Sequence, residues 1–469
     1  MLDKEITNLI GYAETHLLLD GLDERRAARK IAKLIGADDF APEEPDAELI
    51  DNASSPDKFV APLIAYAAEH GKTVTKSEIM DILCLKPSEL NDLFFDTHGV
   101  NKARAFDFLY DYNVKSGYVD LAAGAASDRW EAKELKTRIE IIIDLLPRDD
   151  VKSGAQCPLC KENEGAVGRE NMRTVSLELG GEEWFFAYAR HHYFDEHAHF
   201  VKCEHSPMKS VKETLVKLAE AADFVGENGF VGTNSTADNG GGKINSHEHF
   251  HAGAKNAPML RAPILRRVKS KEYPYLEISM LDWYGTVFRI MHSNLEKTVE
   301  FVDKLIAAWK SYSDAKIVNP DGNKNFVNVV ARKVGGKYCF DVVLRSNGMK
   351  KHRTPQEYSE IKADALSLND VLGYFVLPTK LAEQLKQVQL YLDGTVPFDK
   401  DNLPEQMKPF AGLVERMLSA QGGTVSKLEA KLNIHDEIDA VCEKILASTA
   451  VFDKDTVVPF LDSLDIREL

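Results

Sequence analysis

The run His247-Glu248-His249-Phe250-His251 constrains the fold of this chain more than any other stretch. In an extended strand alternate side chains share a face, so the run predicts a β-strand with three imidazoles turned the same way, at roughly 6.6 Å intervals. The glycines Gly240-Gly241-Gly242 lead into it as a turn. Imidazole is nucleophilic and largely unprotonated near neutral pH. Such a row can hold a metal, attack phosphorus or shuttle protons, and spacing alone does not choose among them.

The stretches around the strand set its context. From Leu2 to about Gly124 apolar residues recur at three- and four-residue intervals, as in Ile6-Leu9-Ile10-Ala13, and predict a helical region with a connecting loop from Asp38 to Pro56. After Trp130 the texture changes. Thr174 to Leu179 alternates, Gly180-Gly181 turns and Trp184 to Tyr188 resumes, which is a hairpin pattern. A helix over Met208 to Phe224 and a strand over Gly226 to Thr233 follow, and together they predict an α+β core. A second cycle has a helix over Leu295 to Ser311, strands over Phe326 to Arg332 and Tyr338 to Leu344, and helical patterns over Leu368 to Phe375 and Thr379 to Leu390. Pro404 to Leu469 is mostly helical.

With 469 residues, 44% of them hydrophobic and 28% charged, the chain is long enough for two or three domains with real cores. A net charge of -16 argues against nucleic acid or an anionic membrane as the main partner, yet leaves room for a local basic pocket taking one phosphorylated metabolite. No apolar run approaches the length of a membrane span and the N-terminus lacks a signal-peptide pattern, so a cytoplasmic location is expected. Cysteines occur only at positions 84, 157, 160, 203, 339 and 442, too sparse for a disulfide scaffold.

Cys157-Pro158-Leu159-Cys160 is a chelating loop of the kind that supplies half of a tetrahedral zinc site. No second Cys-x-x-Cys exists, which excludes a four-cysteine ribbon built from paired motifs, but histidines can complete the set, and His205 and His247 are the preferred candidates; an incidental pair of buried cysteines is the alternative. A thioredoxin-like redox role is a poorer fit, because the pair precedes a polar stretch, Lys161 to Glu164, and not a helix opening from a strand.

Taken together, the run from Cys157 to Gly165, Gly168-Arg169, Gly181-Glu182-x-Trp184-Phe185-Phe186, Glu196-His197, Glu204-His205-x-Pro207-Met208-Lys209 and Ser246-His247-x-His249-Phe250 resembles the type 2 UDP-glucose:hexose-1-phosphate uridylyltransferases, the galactose-1-phosphate uridylyltransferases of many bacteria. The resemblance continues more faintly through Ala331-Arg332-Lys333, Leu344-Arg345-x-Asn347, Val371-Leu372-Gly373-Tyr374 and Leu377-Pro378. It implies a duplicated histidine-triad-like antiparallel sheet-and-helix core with helical N- and C-terminal regions, divided as 1–125, 126–265, 266–400 and 401–469. It also implies a two-step exchange in which His249 takes the uridylyl group from a UDP-hexose and hands it to a hexose-1-phosphate, with no redox cofactor. Two displacements at phosphorus then divide one difficult exchange, and alignment and charge stabilisation supply most of the rate. From the related type 1 enzymes it implies a structural zinc on Cys157, Cys160, His205 and His247. No second metal site is expected, because no further histidine cluster is evident. Asn234, Gly241, Gly242 and Ser246 are the substrate-binding candidates, and exposed helical faces on a two-lobed core are compatible with a homodimer.

Three departures touch this site. His251 stands where the family carries glutamine, exchanging an amide that always has a donor for a ring whose donor depends on tautomer. His251 is therefore a second catalytic candidate, and it raises an alternative, hydrolysis of a nucleotidyl sugar or dinucleotide by the same histidine. A catalytically inactive homologue that binds a nucleotide sugar is the other alternative. Lys243 replaces a family serine and is a candidate for meeting phosphate, while Arg353 to Tyr358 replaces a His-Pro-His segment and leaves acceptor recognition open.

Overall fold

The computed structural model describes residues 2–37, 40–132, 139–143, 155–209, 212–235, 241–242, 244–314, 324–347, 361–362 and 365–469. Lys243 and the 353–358 segment lie outside them.

The N-terminal part is helical as expected: α1 (Leu2–Leu17), α2 (Glu24–Ile35), α3 (Ala47–Asp51), α4 (Asp57–Glu69), α5 (Lys76–Asp81), α6 (Pro87–His98), α7 (Lys102–Lys115) and α8 (Leu121–Ala126). The short α3 falls within the expected loop. Asp46 caps it by accepting from the Leu49 N–H, which explains how an acidic, proline-flanked stretch still forms a turn of helix. Strands β1 (Asp128–Glu131) and β2 (Glu140–Ile143) come next, then β3 (Val175–Leu179), β4 (Glu182–Tyr188) and β5 (Ala198–Lys202), α9 (Lys212–Val225), β6 (Gly229–Thr233) and β7 (His249–Ala254). The second series is β8 (Ile264–Ser270), β9 (Glu277–Leu281), β10 (Thr286–His292), α10 (Leu295–Ser311), β11 (Asn325–Val334) and β12 (Lys337–Ser346). Then follow α11 (Leu368–Leu372), β13 (Tyr374–Leu377), α12 (Thr379–Leu392), α13 (Ala411–Ala420), α14 (Lys427–Ala447), α15 (Val458–Ser463) and β14 (Ile466–Glu468).

The strand order among the described residues shows the duplication directly. One sheet of eleven strands runs β14-β8-β9-β10-β12-β11-β6-β7-β5-β4-β3, and every neighbouring pair in it is antiparallel. Each half is a three-strand meander, a helix and a two-strand return whose last strand inserts beside the third. Thus β7 lies next to β5 as β12 lies next to β10, and the halves meet where β6 pairs with β11. The β3–β4 and β11–β12 hairpins turn on Gly180-Gly181 and Gly335-Gly336, each with both φ angles positive, the conformation tight hairpins need and glycine supplies without strain.

Strand alternation divides the sheet into two faces. Phe200, Phe250, Val231, Val329, Phe340 and Phe288 enter one core with α9, α10 and the N-terminal helices. The residues between them, Phe230, Val330, Val343 and Val287, belong to a second core with α12, α13 and α14. The histidines share that second face. The pattern over Leu368 to Phe375 was expected to be one helix. Instead α11 stops at Gly373, left-handed at φ 101, and the chain resumes as β13, parallel to β2. A helical apolar period and a buried parallel strand look alike over so short a run.

Candidate functional site

His247 does not join the strand. It sits in the bend before β7, held by Glu248 N–H donating to the Ser206 carbonyl at 2.7 Å, and its ring faces the cysteine loop. Cys157 Sγ lies 3.2 Å from His247 Nδ1, Cys160 Sγ lies 3.2 Å from His205 Nδ1, and the two sulfurs are 3.6 Å apart. Four donors on a tetrahedral zinc would be spaced roughly 3.4–3.8 Å apart. All four ligand atoms fall within 4.8 Å of one another, and Cys157, Cys160 and His247 are buried. His247 Nε2–H donates to the Lys202 carbonyl at 2.7 Å, which leaves the Nδ1 lone pair directed at the thiols. Asn163 Nδ2 donates to the carbonyls of both Cys157 and Cys160, pinning the loop. The set fits a metal ion.

His249 is the first residue of β7 and is 4% exposed. Its Nδ1–H donates to the His247 carbonyl at 2.8 Å, so the lone pair is on Nε2. Burial pushes the imidazole down to about 4, so the ring is neutral at physiological pH. A neutral imidazole with one nitrogen tied to backbone and the other free is the form that attacks phosphorus.

Behind this strand, Glu248 points the opposite way and is 1% exposed. Lys217 of α9 meets its carboxylate at 3.2 Å and also pairs with Glu182, while Lys202 pairs with Glu182 at 2.7 Å. These two lysines, Lys202 first, hold the Glu182 carboxyl down to about 2. Lys217 also lies over the Trp184 ring, which itself stacks on Phe250 at 5.0 Å. The strand is thus clamped on the side opposite His249 by charge and aromatic packing.

The other candidate residues are placed as follows. His251 is on β7, with ring centroid 5.4 Å from that of His249. Asn234 follows β6; its Nδ2 donates to His251 Nε2 at 3.0 Å and its Oδ1 accepts from Leu368 N–H at 2.7 Å. Gly241 has φ +83, and a Cβ there would fall 2.1 Å from the Leu366 carbonyl oxygen, so glycine lets this turn press against the segment entering α11. Gly242 packs against Asn245 in the same way, and Ser246 is exposed in the turn before His247. His197 and His199, which the sequence reading passed over, lie beside His251. Their own His-x-His spacing, at the start of the strand adjacent to β7, was the available signal.

The duplicated antiparallel sheet thus presents a buried, neutral imidazole beside a four-donor Cys/His cluster. No family model matches the chain. Galactose-1-phosphate uridylyltransferase of Enterococcus faecalis is 29% identical over 92% of this chain and 92% of its own length. The corresponding protein of Bifidobacterium longum subsp. longum is 29% identical over 82% of this chain and 78% of its own. Galactose-1-phosphate uridylyltransferase 1 of Streptococcus pneumoniae serotype 4 is 30% identical over 68% of this chain and 70% of its own length. The chain belongs to the galactose-1-phosphate uridylyltransferase family. Among solved structures, yeast Ap4A phosphorylase aligns over 58% of this chain and 87% of its own at 15% identity, with a TM-score of 0.35.

Proposed function

We propose that this protein exchanges a uridylyl group between a UDP-hexose and a hexose-1-phosphate, with His249 Nε2 as the nucleophile. The observation that carries the reading is the fixed tautomer of His249, whose Nδ1–H is committed to the His247 carbonyl. Attack of Nε2 on the α-phosphorus forms an N–P bond and breaks the bond to the departing hexose-1-phosphate oxygen. The phosphate oxygen of a second hexose-1-phosphate then forms the new P–O bond and releases the imidazole. As positive charge develops on the ring in the adduct, the Nδ1–H···O=C bond strengthens and offsets part of that cost.

The cluster of Cys157, Cys160, His205 and His247 is read as a zinc site with a structural role, because all four positions are filled by protein. Cys157 and Cys160 of the loop, His205 of the turn after β5 and His247 of the lead-in to β7 would hold the ion together, and so held they would fix the His247 carbonyl that orients His249. Among the described residues no helix is long and apolar enough to cross a membrane.

The test is a mass measurement. Incubated with UDP-glucose and no acceptor, the intact chain should gain one uridylyl group and lose it when galactose-1-phosphate is added. His249→Ala should show no adduct; an adduct that persists there would refute the nucleophile. Steady release of UMP without acceptor would assign hydrolysis in place of transfer.

A further inference from the structure

A second group of histidines surrounds His251. His199 on β5 and His251 on β7 stand opposite each other in register, and His197 lies just before β5. One ring nitrogen from each falls within 4.8 Å of the other two, and His197 Nε2 is 3.3 Å from His251 Nδ1. Two nitrogens bound to one ion at about 2.1 Å with a tetrahedral angle would be separated by roughly 3.4 Å. Burial, and after it the neighbouring imidazoles, keep all three rings well below the ordinary histidine range. They are neutral donors, the state metal binding requires. His197 Nδ1 is buried with no hydrogen-bond partner, in a residue only 4% exposed.

We propose that His197, His199 and His251 hold a divalent transition-metal ion, separate from the Cys/His cluster and beside the strand residue His249. An all-imidazole set suits zinc, cobalt, nickel or ferrous iron and not magnesium or calcium, which take oxygen ligands. Three protein donors leave a coordination position for an exogenous oxygen ligand, and three neutral donors leave the ion its full positive charge. A phosphate oxygen matches both.

The proposal makes a specific demand on Asn234. Its amide Nδ2 donates to His251 Nε2 and its Oδ1 is committed to Leu368, an arrangement that places the His251 proton on Nδ1, facing His197. A metal on Nδ1 moves that proton to Nε2 and turns the amide away. Asn234→Asp supplies an acceptor where the amide supplies a donor, forming a carboxylate–histidine–metal relay that should tighten the site about tenfold.

The experiment uses the full-length chain equilibrated with Co²⁺, cleared of free metal, and analysed for bound ions and by absorption. Two ions per chain are expected, and only one of them should give thiolate-to-cobalt charge transfer. His199→Leu and His251→Gln should keep the thiolate band, which also reports that the chain is folded, and lose the other ion. A single ion in the wild type overturns the proposal, as do two ions in both histidine variants. The wild-type count and spectrum decide the matter even where a variant does not fold. UDP-glucose adduct formation is measured separately, so failure of the second metal site is distinguishable from failure of the nucleophile.

Discussion

His247, His249 and His251 were legible in the sequence as one row, and the structure separates them. The row holds for His249 and His251, which are in β7, whereas the ring of His247 turns to the thiols from the bend before the strand. Alternation could not reveal this, because it assumes extended backbone up to the first histidine. It also said nothing of the residue between them. Glu248 is buried against Lys217, a pairing that links the residue just before β7 to a helix thirty-one positions earlier and leaves no local pattern. Removing one partner of a buried pair leaves a desolvated charge, so Glu248→Ala should cost about 3 kcal/mol in urea unfolding. It should also slow formation of the uridylyl adduct as the lead-in to His249 loosens. Unchanged stability would show that Glu182 alone satisfies Lys217.

At the scale of elements, hairpins and long amphipathic helices were readable because their periods are local. The expected helix over Leu295 to Ser311 coincides with α10, and the strands beyond it were extended by the structure by one to two residues at each end. The equivalence of β7 and β12 was not readable, because it has no counterpart in residue identity. In register, His199 and His251 of one half correspond to Arg289 and Asp341 of the other, where a bidentate ion pair with contacts of 2.6 and 3.1 Å fills the space. The duplicate position has become structural. Another buried carboxyl joins α14 to β1: Trp130 Nε1–H donates to Asp439 at 2.7 Å, and burial raises that carboxyl to about 6. Its folded value lies above its unfolded value, so between about pH 4 and 6 the folded state binds more protons and stability falls as pH rises through that window. Asp439→Asn keeps an acceptor for Trp130 and removes this loss. The variant should melt a few degrees above the wild type at pH 7, with the difference vanishing near pH 4. A constant offset at all pH values would show that the carboxyl does not titrate in that window.

For the whole molecule, the fold class was within reach of the sequence because the motif run fixed it, while the joining of two halves into one continuous sheet was not, since it depends on the long-range pairing of β6 with β11. The Cys/His cluster ties together segments up to ninety residues apart. Chelation should therefore lower the melting temperature by roughly 5 °C or more, and zinc should restore it. A melting temperature unmoved by chelator would mean the cluster carries no folding energy. The last strand has a different significance. An open antiparallel sheet has two rims of free backbone amides and carbonyls that can recruit further strands. At one rim the three-residue β14 lies over β8; at the other, Asn91 of α6 accepts from Ser176 N–H and donates to the Thr174 carbonyl along β3. Both rims are blunted by something too short or too irregular to copy, so a molecule built around eleven hydrogen-bonded strands offers little template for growth into fibres.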